Sequence, residues 1–393
     1  RDSYHSSRQL IKRVGRQQMC GICGIWNFNG SPVNSRAIGA MKESLHHRGP
    51  DDEGVYIDGD VGLGHCRLSI IDLDAGHQPM TNEDGSVWIT YNGEVYNFQE
   101  LRQELTSKGH SFRSRSDTEV IVHLYEELGP RCVERLRGMF AFCIWDAKRR
   151  RMVLARDRLG LKPLYYLLNK KHFIFSSELK GIFVTGAVQK DVNLAAFHAY
   201  LTRDYIPSPD TIFQGVNKLP PAHVLICDAT SSRLERYWKP DTSSHLNNRM
   251  TFEDYSEELE ERIRESVKLR MISDVPIGVL LSGGVDSSTV LAMMAQVTTS
   301  PIKTFSIGTT TPGFNELRYA KMVADRFSTD HQEFIVEPNA VEILPKLVAG
   351  YNEPFADSSA VPTYYVSQMA SQQVKVCLAG DGGDELFAGY DWY

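Results

Sequence analysis

What the chain lacks narrows the field before any motif is read. No uninterrupted apolar run approaches the ~18 residues of a membrane span, although 42% of the 393 residues are hydrophobic. Charge of one sign is not in excess. Lys and Arg number 43 against 49 Asp and Glu, and a formal net charge of −6 gives no electrostatic reason to expect nucleic acid or an anionic membrane as partner. Seven cysteines are too few, and odd in number, for a disulfide framework, so reduced thiols and a cytoplasmic location are expected. Cys20 and Cys23 are spaced as a redox pair or half a zinc site, but no second Cys-x-x-Cys follows and no βαβ pattern surrounds them. The Gly-Lys-Ser/Thr ending of a Walker loop is missing at the glycine-rich turn, as is Gly-x-Gly-x-x-Gly. The length suggests two or three domains, each able to bury a core.

What is there centres on Leu281-Ser282-Gly283-Gly284-Val285-Asp286-Ser287-Ser288. Val279, Leu280 and Leu281 read as a buried parallel strand, two glycines break it, and residues 287–294 resume as a helix. A strand, a glycine turn and a helix start form an anion site, because backbone N–H groups converge there and the helix dipole favours negative charge. The serines add hydroxyl donors, and Asp286 can hold the magnesium that travels with a nucleotide. The plainer alternative is an ordinary Gly-Gly turn, but Ser-Gly-Gly-x-Asp-Ser is far more specific than a glycine pair. The loop resembles the pyrophosphate loop of ATP pyrophosphatases, which cleave ATP to AMP and pyrophosphate.

At the other end, residues 1–18 are basic, with Arg1, Arg8, Lys12, Arg13 and Arg16 against Asp2 alone. They read as a leader, a pro-peptide or upstream translation, with Met19 as the expected start. Removal of Met19 would leave Cys20 first, with a thiol and a free α-amine on one residue. At pH 7.5 an α-amine of pKa about 7.7 is roughly 40% unprotonated, against about 0.1% for a lysine. It can take the thiol proton without a histidine, the logic of N-terminal nucleophile (Ntn) hydrolases.

Further motifs follow in order. Leu45–Asp52 is a polar turn with Gly-Pro inside it. Gly64–Asp72 reads as a short strand, and Tyr91-Asn92-Gly93-Glu94 reads on pattern alone as an Asn-Gly hairpin turn. Ser116-Asp117-Thr118-Glu119 caps a helix over 120–128. Strands over 137–145, 152–155 and 173–178, interleaved with two helices, suit two stacked sheets between helical layers. Polar stretches and prolines place a domain boundary between Trp238 and Thr251, followed by an amphipathic helix over 255–269. Strands at 302–308, 332–336 and 375–380 alternate with helices, which implies a parallel sheet with its ligand at the carboxyl ends.

Taken together, the four early segments resemble the class II glutamine amidotransferase domain, and the chain from Met19 onward is similar to the glutamine-hydrolysing asparagine synthetases. The resemblance implies an N-terminal αββα Ntn-hydrolase sandwich over 20–238, a linker over 239–250, and a parallel α/β ATP-pyrophosphatase domain over 251–393. It implies that Cys20 attacks the glutamine amide, with the Asn92 side chain and Gly93 N–H as oxyanion hole. It gives Arg67 to the α-carboxylate, Glu94 and Asp117 to the α-ammonium, and Leu68, Ile70 and Ile71 to the remaining wall. ATP would be held by residues 281–284 and 286–288 together with Ile307, Ala379 and Gly380, and magnesium by Asp286 and Asp384. Asp381 would be catalytic, but many relatives carry Glu there, in Ser-Gly-Glu-Gly-Ser-Asp-Glu where this chain has Ala-Gly-Asp-Gly-Gly-Asp-Glu.

The implied substrates are glutamine, aspartate and ATP, and the resemblance allows a homodimer. Activation by AMP makes the acceptor carboxylate attackable, and ammonia made on the same chain is spared dilution into solvent as ammonium. An internal passage between the two sites is implied by resemblance only. Alternatives are a same-build amidotransferase using another carboxylic acid, a cyclase similar to β-lactam synthetase, a non-catalytic relative, and a fragment that only hydrolyses glutamine, since the family continues well past the position of Tyr393.

Overall fold

The computed structural model describes residues 19–241, 250–309, 315–337 and 339–390; the expected leader at 1–18 and most of the expected linker lie outside them. The described residues fall into two compact units. The first runs to Asp241 and takes in Val348–Asp357; the second comprises the rest, up to Leu347 and from Ser358 onward.

The first unit is two six-stranded antiparallel sheets. One has the order β10-β8-β9-β1-β3-β2, built from β1 (Gly21–Asn27), β2 (Asp52–Asp58), β3 (Val61–Arg67), β8 (Tyr165–Leu168), β9 (His172–Ser176) and β10 (Val216–Lys218). The other has the order β12-β11-β7-β6-β5-β4, from β4 (Met80–Thr81), β5 (Val87–Val95), β6 (Gly138–Asp146), β7 (Arg151–Arg156), β11 (His223–Asp228) and β12 (Ser232–Arg236). The period-2 alternation of a strand explains why β1 is buried along its whole length. Ile22 and Trp26 face the other sheet and pack with Ala141, Cys143 and Trp145 of β6. Cys23 and Ile25 face outward and pack beneath Ile38, Met41 and Leu45 of helix α1 (Ser35–Leu45). Helices α2 (Phe98–Ser107) and α3 (Asp117–Leu128) pack together, and α3 lies on β5. Helix α4 (Leu179–Phe183) packs against α1 and β9, completing the αββα order, and α5 (Leu194–Arg203) follows.

Val348–Asp357 stands far along the sequence but is bonded into this unit. The Lys218 ammonium pairs with Glu353 at 2.5 Å, the Lys180 N–H donates to Asn352 Oδ1 at 3.1 Å, and the Ala356 N–H donates to the Asp204 carbonyl at 2.9 Å.

Two expectations are corrected here. Asn92-Gly93 is not a hairpin turn; it lies inside β5, where Asn92 pairs with Ala141 and Gly93 with Phe140 of β6. Pairing on a sheet overrides the local turn preference, and the missing Cβ is what lets Gly93 in: a Cβ would be driven into the Met139 carbonyl oxygen and stand 2.8 Å from Phe140 Cα. The strand expected over Gly64–Asp72 ends at Arg67, and residues 68–72 are loop, released where β3 runs out of partners at Asp52 and Gly21.

The second unit is a four-stranded parallel sheet, β15-β14-β13-β16, from β13 (Ile277–Leu280), β14 (Lys303–Gly308), β15 (Asp330–Ile335) and β16 (Val376–Leu378). Its helices are α6 (Phe252–Arg270), α7 (Val285–Val297), α8 (Leu317–Arg326), α10 (Ala360–Ala370) and α11 (Gly383–Phe387), and α9 (Ala340–Tyr351) as far as Leu347, its last residues from Val348 belonging to the first unit. Hydrophobic clusters cover both faces of the sheet. Val279 and Leu281 pack with Leu291, Met294 and Ala320 on one side, and Phe305 packs with Val366 and Ala370 on the other. No helix among the described residues is long and apolar enough to cross a membrane.

Candidate active site

In the first unit, a cavity of about 60 Å³ is lined by Cys20, Arg67, Leu68, Ile70, Ile71, Asn92, Gly93, Glu94 and Asp117, so every residue expected around glutamine meets in one place. Cys20 stands immediately before β1. Its sulfur lies between the two ends of the Leu68 backbone: the Leu68 N–H donates to Sγ at 3.3 Å, and Sγ lies 3.6 Å from the Leu68 carbonyl. The Cys20 carbonyl accepts from Arg48 Nε at 3.1 Å, and Arg48 Nη1 donates to Glu178 at 2.8 Å. Glu178 also meets His47 at 2.8 Å and Lys180 at 2.6 Å. The His-His-Arg turn is therefore a brace behind the cysteine, and among the described residues no imidazole lines the cavity at the sulfur.

Burial pushes the Cys20 thiol up to about 11, with the Leu68 hydrogen bond and the charges of Lys162 and Arg67 pulling the other way and Glu94 adding to the rise. A thiol at that value is about one part in ten thousand thiolate at pH 7, so a base is needed at the sulfur. Met19 itself lines the cavity, with its Sδ 3.1 Å from Lys162 Nζ. Burial holds Lys162 below the usual lysine range, opposed by the charge of Glu94.

Across the cavity, Asn92 is 2% exposed and its Nδ2 has no hydrogen-bond partner among the described residues. A buried amide donor left unmet costs about 1–3 kcal/mol, which marks it as waiting for an acceptor. Asp117, first residue of α3, accepts from the Tyr91 hydroxyl at 2.6 Å and from the Val95 N–H at 2.9 Å. Ser116 caps that helix by accepting from the Thr118 N–H at 3.1 Å. Burial raises the carboxyls of both Asp117 and Glu94, and the charge of Asp117 raises Glu94 further. A cavity whose two acids are strained in this way gains by receiving a cation. The Arg67 guanidinium donates to the carbonyls of Ile71, Asp72 and Leu73, which shapes the loop beyond β3 and holds the fork at the cavity wall.

Tyr91, Arg48 and Lys162 were not singled out from sequence. The one available signal was Tyr91, two residues before Gly93 and so on the same strand face. A larger cavity of about 310 Å³ elsewhere in this unit, with the Lys218–Glu353 pair on its wall, contains none of the expected residues.

In the second unit, the turn after β13 leads into α7, whose N-cap Gly284 supplies no side-chain cap, so the first N–H groups are open to an anion. Gly283 has φ +84°, and a Cβ there would run into the backbone N of Ala320 and lie 2.7 Å from Tyr319 Cβ. Ser282 and Ser287 hydroxyls bond at 2.9 Å, while the Ser288 hydroxyl is buried without a partner among the described residues. Leu281 donates its N–H to Phe305 at 2.9 Å, and Ile307 follows on β14. Gly380 packs on the start of α7, where a Cβ would stand 2.8 Å from Asp286 Cβ; Gly383 lies against the Asp286 carboxylate. Ala379, Gly380 and Asp381 follow β16, and Asp384 lies in α11. The Asp286 carboxylate beside this turn, with Asp384 directly after Gly383 in the chain, offers oxygen ligands of the kind magnesium accepts when phosphates and water complete its shell.

Residues 19–238 match the glutamine amidotransferase domain family, and residues 258–393 match the asparagine synthase family. The chain is 42% identical over 398 residues to a putative glutamine-hydrolysing asparagine synthetase 2 of Methanocaldococcus jannaschii, covering 95% of this chain and 76% of that protein. It is 38% identical to glutamine-hydrolysing asparagine synthetase 1 of Bacillus subtilis, covering 95% of this chain and 59% of the relative, and 32% identical to the B. subtilis synthetase 3, covering 95% and 64%. The chain thus spans between three-fifths and three-quarters of these relatives' lengths. Among solved structures, a glutamine phosphoribosylpyrophosphate amidotransferase from B. subtilis aligns with a TM-score of 0.45 at 15% identity, over 87% of this chain and 94% of that one.

Proposed function

Because the chain belongs to the glutamine-hydrolysing asparagine synthetase family, we propose that it hydrolyses glutamine at Cys20 and uses the ammonia to convert an adenylated aspartate into asparagine. The products are glutamate, asparagine, AMP and pyrophosphate. The observation that carries this reading is the unpartnered Asn92 Nδ2 in the same cavity as the Cys20 sulfur and the Asp117 carboxylate.

With Met19 removed, the Cys20 α-amine takes the thiol proton as sulfur attacks the amide carbon. The carbonyl oxygen becomes an oxyanion that accepts from Asn92 Nδ2 and the Gly93 N–H. Collapse breaks the C–N bond, and the α-amine returns its proton to the leaving nitrogen, releasing ammonia and leaving a γ-glutamyl thioester. Water then attacks the thioester through the same oxyanion geometry and gives glutamate. Asp117 and Glu94 receive the substrate ammonium, Arg67 its carboxylate, and Leu68, Ile70 and Ile71 the side-chain methylenes. Losing one oxyanion donor typically lowers kcat by ~10²–10³-fold.

In the second unit, residues 282–284 and 286–288 would cradle the phosphates, with Leu281, Ile307, Ala379 and Gly380 around the adenosine and Asp381 at the reacting end. Bound magnesium, held by Asp286 and Asp384, would neutralise the charge of the departing pyrophosphate. The corresponding division is a glutaminase domain over 20–238, a linker over 239–250 and a synthetase domain over 251–393. Seven free cysteines suit the reducing cytoplasm, and a homodimer is the proposed assembly.

The test is glutamine hydrolysis by chains whose N-terminus is read by mass spectrometry. Chains beginning at Cys20 should hydrolyse glutamine, Cys20→Ala should not, and Asn92→Ala should fall by ~10²–10³-fold in kcat. Full activity from a chain that keeps Met19, or from Cys20→Ala, would reject the assignment of the nucleophile.

A further inference from the structure

On the flank of α3 away from its N-cap, two histidines and a glutamate converge, and no step proposed above uses them. His123 Nδ1 lies 2.8 Å from Glu126 Oε2, and His110 Nδ1 lies 3.7 Å from the same oxygen. The three ligand atoms of this group all lie within 4.8 Å of one another. Ligands about 2.0–2.1 Å from a tetrahedral zinc ion stand about 3.3 Å apart, so displacements of an ångström or so would seat an ion among them.

The other ring nitrogens and the carboxylates around these three are held by further polar groups. A ligating histidine ordinarily turns its other ring nitrogen to a carboxylate, which fixes the tautomer and makes the ligand more basic. His110 Nε2 meets Glu127 Oε1 at 3.2 Å, and His123 Nε2 faces Glu119 Oε1 at 3.9 Å. Glu119 is itself pinned, accepting from the N–H groups of Arg113 and Ser114 at 2.7 Å each. Asn82 Nδ2 donates to Glu126 Oε1 at 2.7 Å, which aims the other oxygen at the histidines. Glu83 Oε2 lies 4.0 Å from His123 Nδ1.

We propose that His110, His123 and Glu126 form a binding site for a divalent transition-metal ion of zinc's chemistry. The residue types are those zinc selects, and two of the three, His123 and Glu126, lie on the helix whose first residue is Asp117.

Isothermal titration of the full chain with zinc chloride tests this. His110→Asn and Glu126→Gln are the informative variants, because the first lies outside the helix and the second keeps an acceptor for Asn82; circular dichroism checks their folding. One saturable site is expected, weakened at least tenfold by each variant, with a zinc-dependent rise in Tm that both variants reduce. Absence of saturable binding, or binding that either variant leaves as tight as before, overturns the proposal. The variant comparison also separates this site from zinc held adventitiously by the chain's free thiols.

Discussion

Arg48 holds Cys20 from behind: its Nε donates to the Cys20 carbonyl at 3.1 Å, while the same guanidinium is anchored by Glu178. The nucleophile's backbone is thus fixed by charge as well as by β1, which leaves the sulfur as the movable atom. Glu178 gathers Arg48, His47 and Lys180, and although burial works against its charge, these partners hold its carboxyl down to about 2. From that arrangement, and from the contacts around Asp117 and the two glycines, four outcomes are expected.

The Glu178 carboxyl has an ordinary value of 4.5 and a folded value of about 2. A depressed acid contributes stability that is complete above 4.5 and is lost as pH falls toward 2. Urea unfolding across pH 7 to 2.5 should therefore show an acid limb that Glu178→Gln flattens, with the variant already less stable at pH 7. An unchanged limb in the variant would place the acid sensitivity elsewhere.

Tyr91→Phe removes the 2.6 Å hydrogen bond to Asp117 without touching the packing of the ring. A hydrogen bond to a charged group contributes about 1.5–3 kcal/mol, so KM for glutamine should rise roughly tenfold or more, while kcat falls less. Steady-state kinetics decide this, and a loss confined to kcat would remove Asp117 from substrate binding.

Gly93→Ala places a methyl against the Met139 carbonyl oxygen and Phe140 Cα, both backbone, so β5 must move where it carries the oxyanion donors. Misplacement on the order of 1 Å costs about 10²-fold in rate, and glutamine hydrolysis should fall at least that far. Thermal unfolding should fall with it, and an active, stable variant would show that the Gly93 backbone takes no part.

Much of this was legible from the chain alone, and the failures share a cause. The order of Cys20, Arg67, Asn92-Gly93 and Asp117 was readable because each motif is local. Asn92-Gly93 was misread as a turn because its strand character comes from β6, some fifty residues later, which no local pattern reports. Arg48 and Lys162 were unreadable for the same reason, since their contacts reach Cys20 and Met19 across 28 and 143 positions. The helix caps needed no such distance: Ser116 and its helix came out where the capping pattern put them, with the helix starting at Asp117 rather than Val120.

Gly283→Ala meets two obstacles together, a φ of +84° and a Cβ that overlaps the Ala320 backbone. Either alone costs ~1 kcal/mol or more, and the turn that presents the α7 N–H groups should deform. Binding of ATP, followed by calorimetry, should be weakened at least tenfold, while glutamine hydrolysis in the first unit is unchanged. Equal ATP affinity would mean the phosphates sit elsewhere.

Val348–Asp357 has a temporal consequence. Lys218 waits for Glu353, and Asp204 for the Ala356 amide. A ribosome moving along the message therefore releases β13, β14 and β15 before it delivers the last ten residues that the earlier unit requires. The amidotransferase half starts first and finishes late, so a nascent chain halted near residue 340 should already hold both of its sheets yet remain open along one side.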